Sequence, residues 1–413
     1  MRAERPPATI SSADQAPARG EFVVLIASLM ALNALAIDIM LPALNNIGQD
    51  FALATDNDQQ LVIIAYVFGF GAPQLIYGPL TDRFGRKPIL YVSLIGYMLC
   101  AFACTAVTTF SALLAVRFTM GVFASGCRVV AVSVVRDLYV GRGMAEIMSL
   151  VMTIFMAVPI LAPAVGQVVL FAGPWRLIFY VLVVYAGLVL IWSALRLPES
   201  LPAEARAPLN LKTTIAAYRD VVTTRASFGY LLASGVVFGS LFGFISAAEQ
   251  IMREVFLQGD RFVIWFAVIA GGLAMANFTN SRLVQRFGMR RLSHSALVAF
   301  TLLSTAALAV MAAFGPNFAL FMPFFIAIFA CFGLIGSNFN AIAMEPLGRI
   351  AGTGSAAYGF ATTTLAASIG GLIGRAYDGS VLPLLAGFAG LGLASLLIVA
   401  VTENGRLFGP SSN

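Results

Sequence analysis

Apolar runs of about 20 residues or more recur a dozen times along this chain, and no other feature limits its fold so tightly. A run of roughly 20 apolar residues is what a helix needs to cross the hydrocarbon of a bilayer. Lipid offers the backbone no hydrogen-bond partners, so each run must satisfy its own peptide groups as a helix. The runs fall at Phe22–Leu44, Gln59–Leu80, Pro88–Val107, Phe110–Val135, Met144–Phe171, Trp175–Leu195, Ser227–Met252, Phe262–Leu283, Leu292–Phe314, Phe318–Ala343, Gly352–Tyr377 and Val381–Val401. Composition agrees: 60% of the 413 residues are hydrophobic and 11% are charged, against roughly a quarter charged in a soluble chain. A soluble enzyme, a disulfide scaffold, a disordered chain and a nucleic-acid binder are all excluded by that balance.

The fold expected is an all-α membrane protein with twelve transmembrane helices in two six-helix halves. Residues 1–21 read as a cytoplasmic tail, 22–195 as the first half, 196–226 as a linker, 227–402 as the second half and 403–413 as a second tail. The linker is the longest polar connection and holds Pro198, Pro202 and Pro208. The first apolar run is too long for a signal-peptide core and lacks a small-residue cleavage site, so it reads as an uncleaved span.

Charge placement tests the count. Nineteen of the 25 Lys and Arg fall on one side of the expected membrane, Arg176, Arg253, Arg261 and Arg375 on the other, and Arg117 and Arg128 inside a span. This bias puts both termini in the cytoplasm. It also explains the net charge of +6 without nucleic acid. Cys100, Cys104, Cys127 and Cys331 lie in apolar runs and read as small buried hydrophobes. His294 is the only histidine and falls in a basic stretch taken as a loop. That leaves neither a histidine metal site nor a histidine proton relay, and no cofactor or metal is expected.

An internal echo divides the chain. Leu80-Thr81-Asp82-Arg83-Phe84-Gly85-Arg86-Lys87 follows the second span, and Leu283-Val284-Gln285-Arg286-Phe287-Gly288-Met289-Arg290 follows the eighth, 203 residues later. Transporters are often built from such repeats, with the substrate site between them near the bilayer midplane.

Scarce intramembrane charge marks the candidate residues. Asp38, in Ala36-Ile37-Asp38-Ile39-Met40-Leu41-Pro42, is the one acid read as lying well inside a span. A carboxyl there is costly and functional by default, and one held between desolvation and a nearby cation can exchange a proton. Arg117 and Arg128, 11 residues apart, share one face of the fourth span, and Arg117 is placed at a depth where it can pair with Asp38. In the turn Gly78–Pro88, Gly78 is assigned to close helix approach, Gly85 to a positive φ, and Asp82, Arg83, Arg86 and Lys87 to a charge latch. Pro159, Pro163 and Gly166 read as a kink or hinge in the fifth span, and Gly359, Gly370, Gly371 and Gly374 as a close-packing face of the eleventh. Tyr66, Glu249, Asn338 and Asn340 are cavity candidates from span position alone, alongside Asp38 and Arg128. Glu345 reads as interfacial. No nucleotide-binding loop or hydrolase motif occurs.

These residues resemble the major facilitator superfamily, and within it the Bcr/CflA-type drug:proton antiporters of bicyclomycin and chloramphenicol resistance. Gly78–Pro88 is similar to the superfamily's turn between spans two and three. Ala36–Pro42 resembles the family's first-span segment, with Asp38 in the place of its aspartate. Arg117-Phe118-Thr119-Met120-Gly121 resembles the fourth-span motif whose arginine is tied to proton transfer, with Met120 where Gln is usual. Val135–Tyr139 and Leu161–Pro163 are also similar. Pro159–Gly166 resembles the antiporter signature, with Ala162 where Gly is common. Glu249 stands where a neutral or amide residue is usual, which marks either a preference for cationic substrates or simply an interfacial residue. The resemblance implies a monomer in a bacterial inner membrane that exchanges protons for small, mostly apolar drugs or toxic metabolites. The alternative on the same fold is an importer or facilitator of a small metabolite.

Overall fold

The computed structural model describes residues 17–139, 141–206 and 211–408. Most of the expected first tail and the end of the second lie outside them. Among the described residues every regular element is a helix, and there is no strand. Among the described residues eleven helices are long and apolar enough to cross a membrane, and a bent pair makes a twelfth. Spans 1 to 6 are Arg19–Asp50, Asn57–Gly71 with Gln74–Phe84, Arg86–Ala106, Phe110–Leu138, Glu146–Ala172 and Leu177–Arg196. Spans 7 to 12 are Arg225–Val255, Gly259–Phe287, Met289–Phe314, Phe318–Gly348, Thr353–Arg375 and Leu382–Thr402. The end of the bundle carrying the turn between spans 2 and 3 is called the basic end, and the other the far end.

Prolines set where the spans break. A proline lacks an N–H, and its ring crowds the carbonyl four residues earlier. Pro42 stands four after Asp38, and the first helix, Arg19–Asp38, stops there, followed by a short 3₁₀ turn at Leu41–Ala43. Pro159 stands four after Phe155, and the helix Gly141–Phe155 ends there before Val158–Ala172 begins. Pro79 stands four after Leu75 inside Gln74–Phe84 and leaves the Leu75 carbonyl without its helical donor. Span 2 also bends by 44° between Gly71 and Gln74, beside Pro73.

The halves meet along spans 2 and 11 and again where span 5 packs on span 8. Gly371 faces Ile64, and Gly374 faces Gln60. Behind this seam the two cores differ. The second half is filled by rings: Phe325 lies 5.0 Å from Phe244 and 5.5 Å from Phe388, and Phe332 lies 5.1 Å from Phe300. The first half buries a cation, Arg117, among Tyr66, Tyr97 and Phe179.

The structure corrects or refines several expectations. Asp38 lies well inside span 1, as expected, but at a break in it rather than in continuous helix, because Pro42 ends the helix there. His294 is not in a loop: the helix Met289–Phe314 already contains it, and it is fully buried. Flanking arginines disguised the position, since Tyr230 and Phe408 bond its two ring nitrogens. Gly78 makes no close approach, as a Cβ there would meet nothing within 4 Å. Backbone contact occurs instead at Gly121, whose Cβ would lie 2.1 Å from the Tyr66 carbonyl oxygen. Finally, the linker is not merely polar chain: Leu211–Thr223 is a helix that buries Val221 beside Leu231 and Leu347. All four cysteines are free, three of them buried and Cys100 half-buried.

Candidate functional site

The site begins at the break in span 1. Past Asp38 the Met40 N–H turns back to Ile37, an i,i+3 bond of 3.3 Å, instead of reaching Ala36. The Ala36 carbonyl is thereby left to a side chain, and the Arg117 Nη2 donates to it at 3.0 Å. Arg117 Nε donates to the Val62 carbonyl at 3.3 Å, and Nη1 reaches the Met120 sulfur at 3.7 Å. The guanidinium also lies 4.5 Å above the centre of the Tyr66 ring. A fully buried cation is thus held by two main-chain oxygens, a soft sulfur and an aromatic face, with no carboxylate partner among the described residues.

The expected Asp38–Arg117 pair is therefore not formed here. Asp38 is 4% exposed and makes no hydrogen bond or ion pair among the described residues. The two residues are linked through the backbone instead, by the carbonyl that the break releases two residues before Asp38. Span 5 closes on the same break. A Cβ at Gly166 would lie 2.2 Å from the Ile39 carbonyl oxygen and 3.1 Å from Pro42, so only glycine lets the segment after Pro159 and Pro163 touch this point.

The remaining candidates separate. Tyr66 is fully buried beneath Arg117. Arg128 is half-buried at the seam between halves, 3.5 Å from Gln74 and 5.7 Å from the Phe70 ring centre. Asn338 is buried and donates to Asn280 at 2.7 Å, while Asn340 is exposed on the same span. Glu249 lies toward the far end, 3.1 Å from Arg253, with its other oxygen buried and unpartnered.

At the basic end the turn Gly78–Pro88 is a charge cluster. Gly85 takes a φ of 96°, a left-handed conformation that favours glycine. Arg86 is 2% exposed and donates to Thr81 at 2.8 Å, Asp82 at 2.7 Å and Asp137 at 2.9 Å. Lys87 reaches the Ala194 carbonyl, and Arg83 is exposed. Glu199, in the linker, accepts from the backbone N–H groups of Arg86 and Lys87 at 3.0 and 3.1 Å. It caps the orphan donors at the start of span 3. The linker helix is tied down too: the Tyr218 hydroxyl donates to the Leu75 carbonyl at 2.8 Å, replacing the donor that Pro79 removes.

At the far end an amide latch joins the halves. Gln60 donates to Gln250 at 3.2 Å, Gln250 donates to Asn57 at 3.2 Å, and Asn57 donates to the Tyr377 carbonyl at 2.9 Å. Asp58 and Arg375 add an ion pair at 3.7 Å. The sequence reading missed Glu199, Tyr218 and this latch. Polar residues at span ends are ordinary, and only Pro79 carried a signal, by predicting one carbonyl in need of a donor.

A family model described as Major Facilitator Superfamily matches residues 26–374. The chain belongs to that superfamily. It is 27% identical over 368 residues to a bicyclomycin resistance protein homolog of Haemophilus influenzae, spanning 88% of this chain and 91% of the relative. It is 30% identical over 260 residues to the multidrug resistance protein MdtL of Salmonella heidelberg, spanning 62% and 65% of the two chains. The xylose transporter XylE from E. coli, in a partially occluded inward-open conformation, superposes with a TM-score of 0.70 over 92% of this chain and 96% of its own, at 12% identity. The chain is accordingly a multi-pass membrane transporter of the superfamily fold, built to carry small molecules.

Proposed function

We propose that this transporter exports small, mostly apolar drugs or toxic metabolites from a bacterial cell in exchange for protons entering across the inner membrane. It acts as a monomer with its basic end and both termini in the cytoplasm, an orientation that the charge bias supports. The observation that carries the reading is the Arg117 hydrogen bond to the Ala36 carbonyl, two residues from the buried Asp38.

When Asp38 loses its proton, a negative charge appears at the break, two residues from the carbonyl that Arg117 holds and in the field of Arg117. When it gains one, that charge is gone. The break is also where span 5 touches span 1, so the protonation state of Asp38 biases how the two spans pack. Drug and proton need not touch, because each needs only a different affinity for the two facing states. Arg128 and Asn340 are the sequence candidates that stay accessible for substrate, and Glu249 adds a negative charge near the outer latch. The far-end latch holds the outer side shut in this conformation, and it must part for proton entry and drug release. The resistance-named relatives support export over import.

A toxicity screen in a pump-deficient bacterial host tests the reading. Wild-type protein is expected to raise resistance to some of the compounds, and Asp38→Asn at equal membrane abundance to raise none. Equal protection by both would overturn it.

A further inference from the structure

Span 8 presents an outward face along its whole length. Met275 is 70% and Phe278 62% exposed, and Ile264 and Val268 continue the same stripe toward the far end. Large apolar groups so exposed on a bilayer-length helix lie against lipid. The stripe ends in two exposed arginines, Arg282 and Arg286, one turn apart. Twenty residues separate Phe262, where the helix starts, from Arg282. At 1.5 Å per residue this is about 30 Å, the thickness of the hydrocarbon. Arg282 therefore sits at the edge of the hydrocarbon and Arg286 one turn further into the headgroups.

Both guanidiniums are free of carboxylates among the described residues. Arg282 lies 5.1 Å from the centre of the Phe278 ring, and Arg286 lies 5.4 Å from that of Phe287. Many other cations at this end are already engaged. Arg86 pairs with Asp82 and Asp137, Arg196 with Glu21, and Arg290 with Glu345 and Glu403. The repeat supplies an internal contrast. At the matching positions of the first half, Pro79 replaces Arg282 and Asp82 replaces Gln285, leaving a single Arg83 beside an acid. The second-half turn has two cations and no anion on its lipid face.

We propose that Arg282 and Arg286 form a headgroup site for an anionic phospholipid. The phosphate bridges the two guanidiniums, which match phosphate oxygens bidentately, and the acyl chains run along Phe278 and Met275. Residues one turn apart on a helix have Cβ atoms about 6 Å apart, close enough to share one phosphate. The site sits on the helix that packs against span 5 across the seam, so its occupancy bears on how the halves meet.

Native mass spectrometry on the purified full chain, supplied with phosphatidylglycerol or phosphatidylethanolamine in micelles, tests the site. Wild-type protein is expected to retain phosphatidylglycerol preferentially. Arg282→Gln with Arg286→Gln is expected to weaken that retention on the order of tenfold, and Arg83→Gln by less than twofold. Both arginines are exposed, and a melting curve establishes that the double variant is folded. If it is not, Arg286→Gln alone is expected to lose roughly threefold. Undiminished phosphatidylglycerol binding in the folded variant, or equal retention of both lipids by the wild type, overturns the proposal.

Discussion

The two halves repeat one turn and fill it differently. After span 2, Gly85 adopts a φ of 96°, and Arg86 enters a buried cluster with Asp82 and Asp137. After span 8, Gly288 adopts a φ of 78°, but Met289 stands where Arg86 does, and the cationic role passes to Arg290 one residue later. Arg290 pairs with Glu403 at 2.9 Å and Glu345 at 3.4 Å. Glu199 follows span 6 and caps backbone N–H groups, whereas Glu403 follows span 12 and accepts from the Tyr230 hydroxyl at 2.7 Å. The repeat therefore preserves backbone shape, while the polar chemistry has drifted by residue and by partner. The same asymmetry runs into the cores, where one half holds Arg117 beside the break at Asp38 and the other holds a cluster of rings. Deeply buried charge (Asp38, Arg86 and Arg117) is concentrated in the first half, and the second supplies a largely apolar counterpart.

That contrast breaks most readily at the two arginines. Arg86 is nearly inaccessible, so Arg86→Ala leaves Asp137 without its cation and is expected to cost about 3 kcal/mol. Arg290→Ala, in a more exposed pair, is expected to cost about 1 kcal/mol. Thermal melting in detergent measures both, and equal losses would mean that the two turns are energetically alike. A smaller effect is expected from Glu199→Ala, about 1 kcal/mol from lost capping of span 3, with earlier protease cleavage in the linker. Smallest is Tyr218→Phe, which leaves the Leu75 carbonyl without a donor and is expected to cost about 0.5 kcal/mol. If linker cleavage is unchanged in both variants, the linker is not anchored by these contacts.

The spans were legible because twenty-residue apolar runs have one solution in lipid. Asp38, Arg117 and Arg128 were legible for the complementary reason, that charge is rare there. Their relationship was not. Pairing was inferred from matched depth, but Pro42 ends the helix at Asp38 and frees Ala36, and Arg117 takes that carbonyl. The proline was visible, but which donor would answer it was not, because the donor comes from 81 residues away in sequence. His294 misled for a related reason: Arg290 and Arg291 make its surroundings look exposed, and its partners Tyr230 and Phe408 come from distant parts of the chain. Met120 was legible as a departure and has a consequence, since its sulfur meets Arg117 with a weaker acceptor than an amide would offer.

The most direct test of the account is substrate movement in proteoliposomes under an imposed proton gradient, comparing wild type with Asp38→Asn. The wild type is expected to drive substrate against its own gradient, opposite to proton flow. Asp38→Asn is expected to lose that driven movement entirely while still exchanging labelled for unlabelled substrate at equilibrium. Gradient-driven transport by the variant at the wild-type rate would contradict the central claim that Asp38 carries the proton.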